Sequence, residues 1–320
     1  MADPVPHDIR VLADERARAR RARDWATADR LKGNLEAAGW RVVDAASLYS
    51  LERMAPAAIE VDGELRYGSS LGVPSRLDEP PTVGATVVIV ASDAAGLLLR
   101  AVAALRDWSP RAQIVVVANA PSDEVAAEVK ALPEGVEIVR LAARLGAAAS
   151  RNAGIRRASG EVVVLLDPRV EQAEDVVGTL VGALQDPTVA VAGIAGLTTT
   201  DLVHFEPAQA GAEPESVDLQ AMAFRRTDAI ARGPLDEHFT LEAYLDAWWS
   251  LVLRDVPQDA PADARPRRAV VVPGAHAAGG EAPPPGEERL VKKHRYRFLK
   301  WFAARSDLLV GEAGQGNDPD

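Results

Sequence analysis

The stretch GEVVVLLDPRVE, residues 160–171, is an apolar run that opens onto Asp167-Pro168-Arg169. A buried strand ending in a carboxylate is a natural place to hold a metal-bound nucleotide, because hard divalent cations prefer oxygen ligands. Where a second carboxylate would complete such a site the chain has Arg169. A guanidinium a few ångströms from Mg2+ or Mn2+ repels it. The same planar fork can instead grip phosphate oxygens directly. Arg169 therefore disfavours a metal at this tip, and leaves direct contact with an anion as the alternative chemistry.

The elements around this tip must position it. TVVIVAS, AQIVVVAN, VEIVRLA and EVVVLLD are short Val- and Ile-rich runs separated by amphipathic stretches, of which GLLLRAVAALRDW and SDEVAAEVKAL are the clearest. Continuous apolar strands alternating with helices predict an α/β fold with a mostly parallel sheet covered on both faces. In such sheets ligands bind beyond the carboxyl ends of the strands. That topology places Ser92, Asp93, Asn119 and Asp167 on one rim.

The flanks are of other kinds. Residues 1–44 read as a helical hairpin: Ile9, Leu12, Ala13 and Ala17 form one apolar stripe, and Trp25, Ala28, Leu31 and Leu35 another. Its first helix carries Arg10, Arg16, Arg18, Arg20, Arg21 and Arg23, which suit either RNA phosphates or a solvated face. Residues 45–83 read as a short β hairpin with Asp62-Gly63 at its turn, followed by a linker. The main domain spans 84–288, a basic amphipathic helix 289–310, and a polar tail 311–320 is expected to be disordered. From Arg289 to Arg305 there are seven basic residues and no acidic one, and Leu290, His294, Phe298 and Trp301 or Phe302 recur at helical spacing. Packing on the domain, a grip on a donor diphosphate and peripheral contact with anionic lipid are all open to such a helix.

Composition limits the classes. The 320 residues are 48% hydrophobic and 26% charged, with a formal charge of −11. That charge makes nucleic acid a poor general partner. The absence of cysteine excludes disulfides, thiolate metal sites and thiol catalysis. No apolar run approaches the roughly 20 residues of a membrane span, and the N-terminus lacks an apolar signal core. A cytoplasmic protein is expected, with possible contact at the inner face of the membrane through the basic helix. Serine-hydrolase, HExxH and zinc spacings are missing.

Three segments in order, GAAASRNAGIRRASGEVVVLLDPRV, AMAFRRTDAIARGPLDEHF and RAVVVPGAH, resemble the motifs of inverting family-2 glycosyltransferases of the GT-A fold, over residues 84–305. Residues 8–44 resemble the C-terminal segment of cysteinyl-tRNA synthetases, carried by RDWATADRLKGNLEAAGWRVVD. The first resemblance implies a nucleotide-sugar donor, usually a divalent metal (Mg or Mn), and a carboxylate that deprotonates a hydroxyl acceptor. It makes Asp246 the base and Arg169 the substitute for the metal. Ser92, Asp93, Asn119, Asn152, Asp167 and His276 become the donor-binding set, with no metal ligand assigned. Ala118, Arg169 and Leu245 depart from the family pattern. Three readings stay open: a metal-independent transferase, a catalytically inactive scaffold (a pseudoenzyme) that binds RNA or protein, and a plain turn in which Arg169 pairs with Glu171 or Glu174.

Overall fold

The computed structural model describes residues 5–310, apart from 23, 38–39, 46–47, 54–57, 172–173, 210–212, 258–259, 262 and 274–285. The chain divides into two compact units, residues 1–59 and 60–320. In the first unit, α1 (His7–Arg21) and α2 (Trp25–Ala37) lead into the antiparallel pair β1 (Trp40–Ala45) and β2 (Leu48–Arg53). Its small core gathers Ile9, Ala13, Leu35 and Trp40. The apolar stripes thus turn inward, and most of the arginines remain outside, although Arg16 is buried.

Next comes the hairpin of β3 (Ala58–Val61) and β4 (Glu64–Tyr67). Asp62 and Gly63 take φ of 54° and 76° at its turn, the left-handed pair that a tight hairpin requires.

The large unit is organised by β5 (Val83–Ala91), α3 (Leu98–Trp108), β6 (Gln113–Ala118), α4 (Asp123–Lys130), β7 (Glu137–Arg140), α5 (Ala147–Ile155), β8 (Gly160–Leu166), α6 (Val176–Ala183) and β9 (Val189–Gly193). The chain continues through the short β10 (Gly196–Thr198), β11 (Glu206–Pro207) and β12 (Ser216–Val217), which form a minor sheet. It ends with β13 (Ala221–Arg225), α7 (Arg226–Arg232), α8 (Leu245–Arg254), β14 (Arg268–Val271) and α9 (Glu288–Phe302). Seven strands make the central sheet in the order β14-β9-β13-β8-β5-β6-β7. All run parallel except β13, which is antiparallel to both β8 and β9.

Alternate residues of the strands supply two separate cores, as the period of a strand dictates. Val87, Ile89 and Val116 pack under α3 and α4 on one face. Val88, Val117 and Leu165 meet α5, α8 and α9 on the other. Helix α5 lies so close to the sheet that a Cβ on Gly154 would stand 2.2 Å from Val88 Cγ1. That proximity brings the N-terminal end of α5 to the strand ends. Among the described residues no helix is long and apolar enough to cross a membrane.

Candidate active site

Because β8, β5 and β6 are parallel neighbours, their carboxyl ends share one rim. A cleft of about 490 Å3 opens there, walled in part by Ser92, Asp93, Asn119, Asp167, Arg169 and Arg151. Four of the six donor residues expected from sequence therefore meet in one place. His276 lies outside the described residues.

Asn152 does not join that wall. It is buried, and its side-chain amide accepts from Leu235 N at 3.0 Å while donating to Leu235 O at 2.8 Å and to Glu237 Oε1 at 3.0 Å. Its work is to fasten α5 to the segment before α8. Asn119 does line the cleft, but its polar atoms bond Leu145 O and Leu145 N at 3.0 and 2.7 Å. It therefore holds the loop ahead of α5 in place.

The tip itself is a closed pair. Asp167 Oδ1 accepts from the backbone N and Nε of Arg169 at 2.8 and 3.0 Å, and Oδ2 from Nη2 at 2.8 Å. Arg169 thus pairs with Asp167, and Glu171 pairs instead with Arg100 at 3.8 Å. The carboxylate uses both oxygens to set the plane of the guanidinium. Among the described residues no three His, Asp or Glu side chains converge as a metal site would need. The donor set at the tip does not suit a divalent cation, because its carboxylate is already taken up by a cation.

Arg151 and Glu242 also wall the cleft, and Arg144 and Asp218 stand next to its wall residues Asp93 and Leu219. Arg144 makes a two-pronged pair with Asp93, 2.6 Å on each side, and this hydrogen bonding holds the Asp93 carboxyl below its ordinary range. Arg151 donates to Glu242, another wall residue. Asp218 is half-buried, and burial pushes its carboxyl up to about 6, with the charges of Glu242 and Asp167 adding to the rise. The pairs join residues 51 and 91 positions apart, so no local spacing announces them. For Glu242 there was a signal, a second carboxylate in TLEAYLDAWW beside Asp246.

Asp246 stands in the first turn of α8 and is not in the cleft wall. Its Oδ1 accepts from Ala247 N at 2.8 Å. Burial raises its carboxyl to about 7, and the charges of Asp218 and Glu242 push in the same direction. Tyr244, the residue just before α8, has φ of 67°, and Ala120, next to Asn119 on the rim, has φ of 43°. Non-glycine residues in this region cost about 1–3 kcal/mol each and tend to mark functional sites. Trp248 and Trp249 stack on one another within the core and do not face a sugar.

Residues 86–236 match the family described as glycosyl transferase family 2. The match takes up just under half of the chain, and the fold is of the GT-A type. Among solved structures, GalNAc-T7 with UDP, GalNAc and Mn2+ superposes with a TM-score of 0.54 at 16% identity, covering 68% of this chain and 48% of that one. The mannosyltransferase PcManGT from Pyrobaculum calidifontis, in complex with GDP-Man and Mn2+, gives 0.42 at 20% identity, covering 78% and 81%. Two short matches are of another kind. Cysteine–tRNA ligase 1 of Burkholderia lata is 48% identical over 62 residues, and the cysteine–tRNA ligase of Opitutus terrae 46% over 48. The chain spans only 13% and 10% of those two relatives, and the matches take up 19% and 15% of this chain.

Proposed function

We propose that the glycosyltransferase domain transfers a sugar from a nucleotide-diphosphate-sugar to a hydroxyl acceptor by a single inverting displacement, with no metal at the Asp167–Arg169 tip. The acceptor oxygen attacks the anomeric carbon, the bond to the diphosphate oxygen breaks, and the acceptor proton passes to a carboxylate. Arg169 meets the charge that grows on the departing diphosphate, and Asp167 is the positioning residue that fixes its guanidinium. Asp246 is the base: a carboxyl near 7 is poised to take a proton at neutral pH. Asp218 and Glu242 support that role, since their charges help keep Asp246 basic.

The observation that carries this reading is a cleft at three parallel strand ends, in a segment that matches this family, with a guanidinium held beside Asp167. One observation favours the alternative of a non-catalytic binding protein. Arg144, Arg151 and Arg169 are each paired with a carboxylate of the chain, so a diphosphate must compete with those carboxylates.

Calorimetric titration with UDP, GDP and TDP and their sugars, with and without Mn2+, tests both. Micromolar binding indifferent to Mn2+ and lost in Arg169→Ala is the expected result. Binding that requires Mn2+ would overturn the role of Arg169, and no binding of any of these nucleotides would remove the donor site.

A further inference from the structure

Helix α9 sorts its residues into two faces. His294, Phe298 and Phe302 are buried, and Phe298 packs edge-on against Phe205 at 5.5 Å and beside Tyr244 at 5.6 Å. His294 Nε2 accepts from Thr240 N at 3.2 Å. This face fixes the helix to the segment that leads into α8. Phe302, and not Trp301, is the aromatic that completes the inward stripe.

The opposite face carries Arg289, Lys292, Lys293, Tyr296 and Lys300, all exposed. At 3.6 residues per turn these fall within a narrow sector of the helix surface. Arg297 and Arg305 belong elsewhere, since they pair with Asp236 and with Asp255 and Asp307. None of Arg289, Lys292, Lys293 and Lys300 has an acidic partner among the described residues. A chain of formal charge −11 thus presents four unneutralised cations on one side of one helix. Bordering them are large apolar groups left in water: Trp301 is 57% exposed, Tyr296 63% and Leu290 38%.

We propose that this face of α9 docks the protein on a bilayer surface bearing anionic lipid. Lysine and arginine neutralise the headgroups, while Trp301, Tyr296 and Leu290 enter the boundary between headgroups and acyl chains, where amphipathic aromatic rings are most stable. Leu290 decides against a phosphate backbone as the partner, because an exposed aliphatic chain gains nothing from a nucleic-acid strand. The docking does not depend on what the cleft transfers. It places the acceptor-side segment 239–248 one helix away from lipid.

Co-sedimentation of the full chain with vesicles tests the proposal, comparing equal parts phosphatidylglycerol and phosphatidylcholine with phosphatidylcholine alone. Binding is expected only to the anionic vesicles, and to fall when salt is raised, because screening shortens the reach of each charge. Removing one surface cation weakens such binding about fivefold. Lys292→Gln, Lys293→Gln and Lys300→Gln together should therefore weaken it about a hundredfold. These side chains are exposed, so circular dichroism and thermal unfolding should be unchanged. Trp301→Ser should weaken binding to the same vesicles with little change in its salt dependence.

Equal binding to both vesicles, or full binding by the triple variant, overturns the proposal. So does a third outcome: loss of labelled single-stranded RNA binding in the triple variant with vesicle binding intact, which would make the face a nucleic-acid surface.

Discussion

Replacing Asp246 with asparagine separates the energetic burden of a buried carboxylate from everything else at the site. Asparagine keeps an oxygen that can accept from Ala247 N, the 2.8 Å bond of the wild type. It removes the charge that burial, Asp218 and Glu242 all disfavour. The rise from the ordinary 3.8 to about 7 corresponds, at about 1.4 kcal/mol per pH unit, to roughly 4 kcal/mol. The sign follows from linkage. The folded carboxyl ionises later than the unfolded one, so the wild type is most stable below the unfolded value and loses stability as pH rises through the folded one. Asp246→Asn should thus be more stable than wild type by at most about 4 kcal/mol at pH 8, falling to about 1 kcal/mol at pH 4.5. Asp246 is partly reached by solvent, so about 2–4 kcal/mol is expected at pH 8, or roughly 5–10 °C in Tm. Urea unfolding at the two pH values, followed by the emission of buried Trp248 and Trp249, measures it. If the gain is absent at pH 8, or equal at both pH values, the placement of a strained carboxylate at 246 is wrong.

Two further outcomes follow from geometry. Gly154→Ala should cost about 1–3 kcal/mol by overpacking, since its Cβ would meet Val88 Cγ1 at 2.2 Å in an interior that cannot yield; a neutral result in thermal unfolding would mean that α5 rides higher on the sheet. Arg144→Ala breaks an exposed pair, so stability should change by less than about 1 kcal/mol. Nucleotide affinity in the same variant should nevertheless fall, because Asp93 is a wall residue left without its guanidinium, and an unchanged Kd would place the pair outside the donor site.

How much of this was legible follows the range of each signal. Runs such as TVVIVA and QIVVVA report burial on both faces, and from parallel strands it follows that Ser92, Asp93, Asn119 and Asp167 share a rim. The direction of a strand is not written in its own residues: nothing in AMAFR distinguishes the antiparallel β13 from its parallel neighbours. Asn152 reads as a site residue because its segment, GAAASRNAGIRRASG, resembles the family's donor-side motif, yet on a helix adjacent side chains such as those of Arg151 and Asn152 point about 100° apart. One turns into the cleft and the other onto the backbone of Leu235. The pairing of Arg169 with Asp167 is local enough to have been seen, but an arginine at such a tip has several carboxylates within reach, and only the fold selects among them.

The lead-in to β13 ties Asp218 to the tip of β8. Asp218 Oδ1 accepts from Gln220 N at 3.0 Å, and Gln220 O accepts from Asp167 N at 2.7 Å. One residue thus touches the raised carboxyl of Asp218 and the aspartate paired with Arg169. Asp218 therefore stands three hydrogen bonds from the guanidinium, through Gln220 and Asp167. The raised carboxyl of Asp218 and the pair that sets Arg169 are in this way held in register by a single backbone residue, Gln220.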